Sequence, residues 1–291
     1  MALEYDKQNR FRAVRSPHSS LEDDHEEMVQ QQLARLKFFE RAVGEASVAA
    51  LDWGCGTGFN CAWLSRNAGA REVSGFDISE PAIAAARLAV PGIAFAVADA
   101  CNPSLDLQPG HWDLIISCEV IEHVPDMHAF LSNLSRHLAP GGVAFISTPN
   151  RTVFSLGHEP SPVNREHIKE LALEEFAALL KPHFSSVAIY GQQFKNEQLL
   201  AAWKVDVTAK IDALNAGTRW RQPGHSPQLW EPLLQRIHKV PLVRYLWTLL
   251  RWRLAAYLAQ RFTRPVYMHD DFEFVSDDLS KSVWFCAIAR V

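Results

Sequence analysis

Leu51-Asp52-Trp53-Gly54-Cys55-Gly56-Thr57-Gly58 places three glycines at alternate positions behind a short apolar run, Val48-Ala49-Ala50-Leu51. The run reads as a buried strand. Phe59-Asn60-Cys61-Ala62-Trp63-Leu64 after the glycines has helical spacing. A strand, a glycine turn and a helix in that order build a cradle for a small molecule. Glycine tolerates positive φ and lets the backbone approach a ligand, and the new helix aims unpaired N–H groups at it.

The glycine pattern alone leaves the ligand open. Dinucleotide cradles use G-x-G-x-x-G, whereas this chain reads G-x-G-x-G, with Phe59 where the third dinucleotide glycine would fall. Asp52 precedes the turn. A carboxylate there repels a pyrophosphate and holds an ammonium, directly or through water. A cationic ligand such as S-adenosylmethionine is favoured over NAD.

Later segments repeat the unit. Glu72-Val73-Ser74-Gly75-Phe76-Asp77 reads as a second strand ending in an acid, 19 residues past Gly58. That is near the spacing at which an acid reaches a ribose hydroxyl. Phe95-Ala96-Val97-Ala98-Asp99 reads as a third strand, Trp112 to Cys118 as a fourth and Gly142 to Ser147 as a fifth. Helices are expected over 79–90 and 126–138, and Pro140-Gly141-Gly142 as a turn before the fifth strand. Strands alternating with helices predict a parallel sheet covered on both faces. Ligands then collect at the carboxyl ends of the strands, where all three acids lie.

These segments together resemble class I S-adenosylmethionine-dependent methyltransferases. Leu51 to Gly58, Gly75-Phe76-Asp77-Ile78-Ser79 and Val97-Ala98-Asp99-Ala100 are similar to the first three motifs of that family. Trp112 through Cys118-Glu119-Val120-Ile121-Glu122-His123-Val124 resembles the fourth in the ubiquinone O-methyltransferase-like branch. Leu138-Ala139-Pro140-Gly141-Gly142, then Ser147-Thr148-Pro149-Asn150-Arg151, completes the series. The resemblance implies an α/β, Rossmann-like sheet of seven strands, the last antiparallel, with helices on both faces. It implies S-adenosylmethionine as cofactor, held by Asp52, Gly54, Gly56, Gly58, Asp77, Ile78, Asp99, Ala100 and Cys118. Asp52 would support the methionine amino end, Asp77 the ribose hydroxyls and Asp99 the adenine amino group, with Ile78 and Ala100 beside the ring.

His123, just past the fourth strand, is the candidate catalytic residue. A neutral imidazole there would take a proton from an acceptor hydroxyl as the methyl leaves sulfur. The plainer reading is a histidine hydrogen-bonded to backbone. His158, Glu159 and His167 follow in the loop after the fifth strand, but their spacing matches no zinc motif, and no metal is expected.

The chain has 291 residues, 48% apolar and 21% charged, enough for a full core. Three parts are expected: a tail and cap helix over 1–45, a methyltransferase domain over 46–194 with 268–291, and a helical insertion before the last strand over 195–267. Residues 1–20 look poorly ordered. Residues 21–43 read as a helix with Val29, Leu33, Leu36, Phe39 and Val43 on its apolar face. Between the last two expected strands, 187–192 and 282–290, the intervening stretch is too long for a bare loop, with helical stretches at 196–215 and 228–262. The insertion, a candidate acceptor lid, carries 12 Lys and Arg against 4 Asp and Glu; the rest carries 17 against 29. Within it, 241–262 mixes Arg244, Arg251 and Arg253 with Trp247 and Trp252, which reads as packed helix, acceptor lid or peripheral membrane contact. Nucleic acid is not an expected partner, because the whole chain is acidic. The five cysteines, at 55, 61, 101, 118 and 286, form no C-x-x-C pair, and no apolar run reaches a membrane span. Both fit a cytoplasmic protein, with peripheral contact at the inner membrane face expected through 241–262. The expected reaction is methyl transfer to an oxygen of a small-molecule, glycan or lipid-linked acceptor. A quinone or phenol O-methyltransferase, an N-methyltransferase and a cofactor-binding protein without catalysis are the rivals.

Overall fold

The computed structural model describes residues 2–5, 11–14, 22–43, 48–67, 70–217 and 269–291. Two compact units divide the chain, 1–200 with 267–291, and 201–266. The first carries the sheet. Its strands are β1 (Ala2–Tyr5), β2 (Phe11–Val14), β3 (Ala49–Trp53), β4 (Glu72–Asp77), β5 (Ala94–Val97), β6 (Trp112–Cys118), β7 (Leu138–Pro149), β8 (Ser186–Phe194), β9 (Phe272–Val275) and β10 (Trp284–Arg290). The helices are α1 (Glu22–Val43), α2 (Phe59–Asn67), α3 (Glu80–Ala89), α4 (Met127–His137), α5 (Arg151–Phe154), α6 (Leu173–Leu180) and α7 (Glu197–Asn215).

Eight strands form one sheet in the order β5-β4-β3-β6-β7-β10-β8-β9. β3 pairs in parallel with β4 and β6, β4 with β5, and β6 with β7. β10 runs antiparallel between β7 and β8, as the resemblance implies. The eighth strand corrects the expected seven. β9 adds to the edge of β8, pairing Phe194 with Phe272 and Gly191 with Val275. Its driving force is aromatic: Phe272 is buried with its ring centroid 5.0 Å from that of Phe194, and Phe274 stacks on Phe38 of α1 at 4.2 Å.

Strand alternation builds a core on each face. On β6, Ile115 joins Trp53, Phe130, Leu134 and Phe176 on one face, while Leu114 and Ile116 join Leu36, Phe39 and Phe145 on the other. β7 repeats the split with Ala144 and Ile146 against Val143 and Phe145. The apolar stripe of α1 thus closes one face, and α4 with α6 closes the other.

Two further differences concern turns. Pro140-Gly141-Gly142 lies inside β7, not ahead of it. Trp112 pairs with Leu138 and Leu114 with Val143, so the glycines form a bulge that takes up extra residues, with Gly141 at φ 77°. Within residues 1–20, expected to be poorly ordered, 2–5 and 11–14 form an antiparallel pair whose register sets Tyr5 opposite Phe11 and Leu3 opposite Ala13. Of the second unit, residues 201–217 are described, the greater part of α7 and its exit, where Lys210 and Asp206 pair at 3.2 Å one turn apart. The stretches 228–262 and 241–262 lie outside the described residues. No helix among the described residues is long and apolar enough to cross a membrane.

Candidate functional site

The glycine turn leaves the carboxyl end of β3 and enters α2. Gly54, at φ 84°, has no room for a side chain, since a Cβ would sit 2.7 Å from a Val120 methyl. Gly56 has φ 50°, and a Cβ there would meet nothing within 4 Å. Its backbone therefore faces open space at the sheet edge, which is what a cradle requires. The turn is braced from β4: Gly54 and Cys55 N–H both donate to the Phe76 carbonyl, at 3.0 and 2.8 Å.

Asp77 fixes the turn from the end of β4. Its Oδ2 accepts the Gly56 N–H and its Oδ1 the Ser79 N–H, each at 2.8 Å. Each carboxylate oxygen keeps a second lone pair for a ligand hydroxyl. Ile78 beside it is 71% exposed, an apolar surface large enough to cover a ring. Asp99 is exposed beyond β5, with Oδ1 accepting the Cys101 N–H at 2.8 Å, and Ala100 is half-buried next to it.

Asp52 differs in kind. It is fully buried under the turn, taking Asn60 Nδ2 at 3.1 Å and the Cys61 thiol at 3.5 Å. Burial pushes its pKa up to about 7, against the opposing hydrogen bonds from Asn60 and Cys61. A direct contact with an ammonium needs an exposed carboxyl, and Asp52 has none. Its reach outward runs through Asn60, whose Oδ1 in turn accepts Gln32 Nε2 of α1 at 2.7 Å. Cys118 ends β6, and burial raises its thiol to about 12, so it is a neutral surface and not a nucleophile.

Arg35 is a functional candidate that the sequence reading missed. It sits on α1, only 2% exposed, donating Nε to Gln192 Oε1 at 2.7 Å and Nη1 to Gln32 Oε1 at 3.1 Å. Its guanidinium lies 5.2 Å from the Trp284 ring and 3.6 Å from Glu119 Oε1. Nη2 is buried with no protein partner. The charge is met by Glu119, and this one nitrogen is the part of the guanidinium left without a protein acceptor. No sequence signal marks it, because its position follows from how α1 lies on the sheet. Glu119, which it faces, has φ 57°, unusual for a residue with a side chain. Its Oε1 accepts the Ser147 hydroxyl at 2.8 Å.

The residues after β6 meet the loop after β7. His123 donates Nδ1 to the Glu166 carbonyl at 3.0 Å, the backbone bond that the plainer reading anticipated. Ile168 and Lys169 N–H both donate to the Glu122 carbonyl, at 2.8 and 3.2 Å, pinning the loop there. His167 lands beside His123, ring centroids 4.8 Å apart at 75°. His167 Nδ1 contacts Glu170 Oε1 at 2.6 Å, with side chains 5% and 2% exposed. Glu122, at 0% exposure, accepts the Thr148 hydroxyl at 3.0 Å on Oε2, while Oε1 has no partner. Burial, reinforced by Glu119, pushes its carboxyl up from the usual range. Ligand-type atoms of Glu122, His123 and His167 all lie within 4.8 Å of one another, the one such group found among the described residues. His158 and Glu159 do not join them: His158 is exposed, and Glu159 pairs with Arg151 at 2.6 Å.

A probable S-adenosylmethionine-dependent methyltransferase of Mycolicibacterium smegmatis is 32% identical over 168 residues, 58% of this chain and 60% of that protein. A ubiquinone biosynthesis O-methyltransferase of Bradyrhizobium diazoefficiens is 37% identical over 123 residues, 40% of this chain and 48% of that protein. The chain thus spans 60% or less of these relatives' length. Among solved structures, a Haemonchus contortus phosphoethanolamine N-methyltransferase 2 in complex with S-adenosyl-L-methionine superimposes with a TM-score of 0.51 at 16% identity, covering 95% of this chain and 60% of that one. That likeness concerns the fold alone. The model of the methyltransferase domain family matches residues 24–207, from α1 through β8 into α7, and the chain belongs to that family.

Proposed function

We propose that this protein transfers a methyl group from S-adenosylmethionine to an oxygen of a small-molecule, glycan or lipid-linked acceptor. The observation that carries the reading is convergence. The glycine turn, Asp77 and Asp99 share one sheet edge with two imidazoles whose Nδ1 atoms are already engaged. The relatives' names support the cofactor.

The residues fit such a cofactor on grounds internal to the structure. The open side of Gly56 admits it, Asp77 keeps lone pairs for ribose hydroxyls, and Ile78 and Ala100 flank a ring. Asp52, buried under the turn, acts on the methionine amino end through Asn60. When bound, the cofactor supplies a methyl on a sulfonium centre, open to in-line displacement. The protein's part is to fix that methyl opposite the acceptor oxygen and to remove the hydroxyl proton. His123, set past β6 with Nδ1 donating to backbone, presents the lone pair of Nε2 for that proton. The basic insertion serves as acceptor lid, and 241–262 as its contact with an anionic acceptor or lipid headgroup. The protein works in the cytoplasm, in part against the membrane face.

Calorimetry with S-adenosylmethionine, followed by methyl-release assays on hydroxyl and amine acceptors, tests the reading. Micromolar binding and turnover of hydroxyl acceptors are expected. Absence of binding by folded protein would refute the function, and binding with turnover of amines alone would refute the oxygen.

A further inference from the structure

The helix α1 has two working flanks. Gln30, Ala34, Lys37 and Arg41 follow one another at spacings of four, three and four, which puts them on one side of a helix. Gln32 and Phe39 fall on the opposite side, toward Asn60 and Phe145. The helix body therefore separates the first flank from the cofactor turn. That flank meets the short turn His269–Asp271 ahead of β9. His269 is fastened there by its N–H and its Nδ1, both 3.1 Å from Gln30 Oε1. Lys195, leaving β8, reaches the same corner because its N–H donates to the Asp271 carbonyl at 2.8 Å. Ala34, in the middle of the flank, contributes only a methyl. A cavity of about 270 Å³ remains, lined by Lys37, Arg41, Lys195 and three phenylalanines, Phe38, Phe272 and Phe274.

The cations in it are not matched. Lys37 donates Nζ to His269 Nε2 at 2.6 Å. The proton of that imidazole sits on Nδ1, which faces Gln30 Oε1, so a neutral acceptor orients the ammonium and leaves its charge uncompensated. Among the described residues, no carboxylate pairs with Lys37, Arg41 or Lys195. Two acids also line the cavity. Glu273 is engaged, its Oε1 accepting Gln193 Nε2 at 2.7 Å. Asp270 lies 3.2 Å from His269 Nε2, but its side chain is 85% exposed and water screens it.

We propose that this cavity is a second ligand site, separate from the methyl-transfer site, and that it takes a phosphoryl group carrying a small apolar substituent. Lys37 and Arg41 approach from one helix and Lys195 from the end of β8. A tetrahedral phosphate monoester dianion has oxygens for three such donors and the charge to balance them, whereas a planar carboxylate has two oxygens and one charge. The phenylalanines give the carbon end of the ester an apolar surface. A soluble phosphate ester and a phospholipid headgroup share this chemistry.

The probes are phenyl phosphate, benzoate and phenol, each titrated by calorimetry near pH 8, and phosphatidylcholine vesicles with and without phosphatidic acid. The proteins are the full wild-type chain and the double variant Lys37→Gln with Arg41→Gln, folding being checked by thermal melting. Phenyl phosphate is expected to bind the wild type at about one site per chain and roughly tenfold more weakly to the double variant. Phenol should not bind, and benzoate should bind more weakly than the ester. Saturating S-adenosylmethionine should leave the phenyl phosphate affinity unchanged, and the double variant should bind S-adenosylmethionine as the wild type does. Binding of the free ester that the double substitution weakens names a soluble ligand. Co-sedimentation with phosphatidic acid vesicles that the same substitution weakens, without binding of the free ester, names a lipid headgroup. Phosphate binding that survives the double substitution would put the anion elsewhere, on the basic insertion, and overturn the proposal. So would competition with S-adenosylmethionine, equal affinity for benzoate, or binding of neither ester nor vesicle. If the double variant melts well below the wild type, Lys195→Gln, which leaves α1 intact, decides in its place.

Discussion

Replacing Asp52 by Asn separates its structural cost from its service to the ligand. Burial raises the carboxyl from 3.8 to about 7, a shift of about 3 units, or roughly 4 kcal/mol at most. The sign follows from linkage. The folded state binds this proton more tightly than the unfolded chain, so the contribution is fully present below about pH 4 and is lost as pH rises through about 7. Asparagine stays neutral throughout and keeps an oxygen for Asn60 Nδ2, which now donates to Oδ1 at 3.1 Å. Asp52→Asn is therefore expected to melt several degrees above the wild type at pH 8.5, at roughly 2–4 °C per kcal/mol, with the gap closing toward pH 4. Ligand binding should move the other way. A cationic amino group near Asn60 favours the ionised carboxyl, so wild-type affinity for S-adenosylmethionine should climb between pH 5.5 and 7.5 more steeply than that of Asp52→Asn. Melting and calorimetry across this range check both. Parallel melting profiles for the two proteins would refute the burial argument, and parallel affinity profiles would remove Asp52 from the ligand's surroundings.

Three further outcomes are expected. Asp77→Ala should weaken S-adenosylmethionine binding by about 1.5–3 kcal/mol, the worth of a charge-assisted hydrogen-bond pair; unchanged affinity in a folded variant would cancel the ribose assignment. Gly56→Val should fold yet bind no cofactor, because the new side chain projects into the open side of the turn and φ 50° strains it; wild-type affinity by calorimetry would show the cradle lies elsewhere. Changing both Arg244 and Arg251 to Gln should reduce co-sedimentation with anionic liposomes or raise acceptor KM, most at low salt; indifference at every ionic strength would count against the lid and lipid roles of the insertion.

The sheet was legible because its signals are local. Glu72–Asp77 and Trp112–Cys118 are strands at the bounds the sequence predicts, the second because a buried parallel strand is a nearly continuous apolar run, the first because its closing acid falls at the spacing that follows a glycine turn. Positive φ at Gly54, Gly56 and Gly58 likewise follows from glycine spacing. What sequence spacing leaves undetermined is contact between segments far apart in the chain. The Phe272–Val275 strand exists because the β8 edge and Phe38 of α1 offer it partners. Arg35 becomes buried only when α1 crosses the sheet to meet Gln192 and Trp284. His123 and His167, 44 positions apart in sequence, share one site because backbone hydrogen bonds pin the second loop to Glu122. Residue type and spacing thus determined the strands, the turn and the strand-end acids, each set by its own neighbours. Tertiary packing alone decided which arginine is buried beside Glu119 and which imidazole has a carboxylate behind it, because burial and charge pairing are properties of surroundings that the chain assembles only on folding.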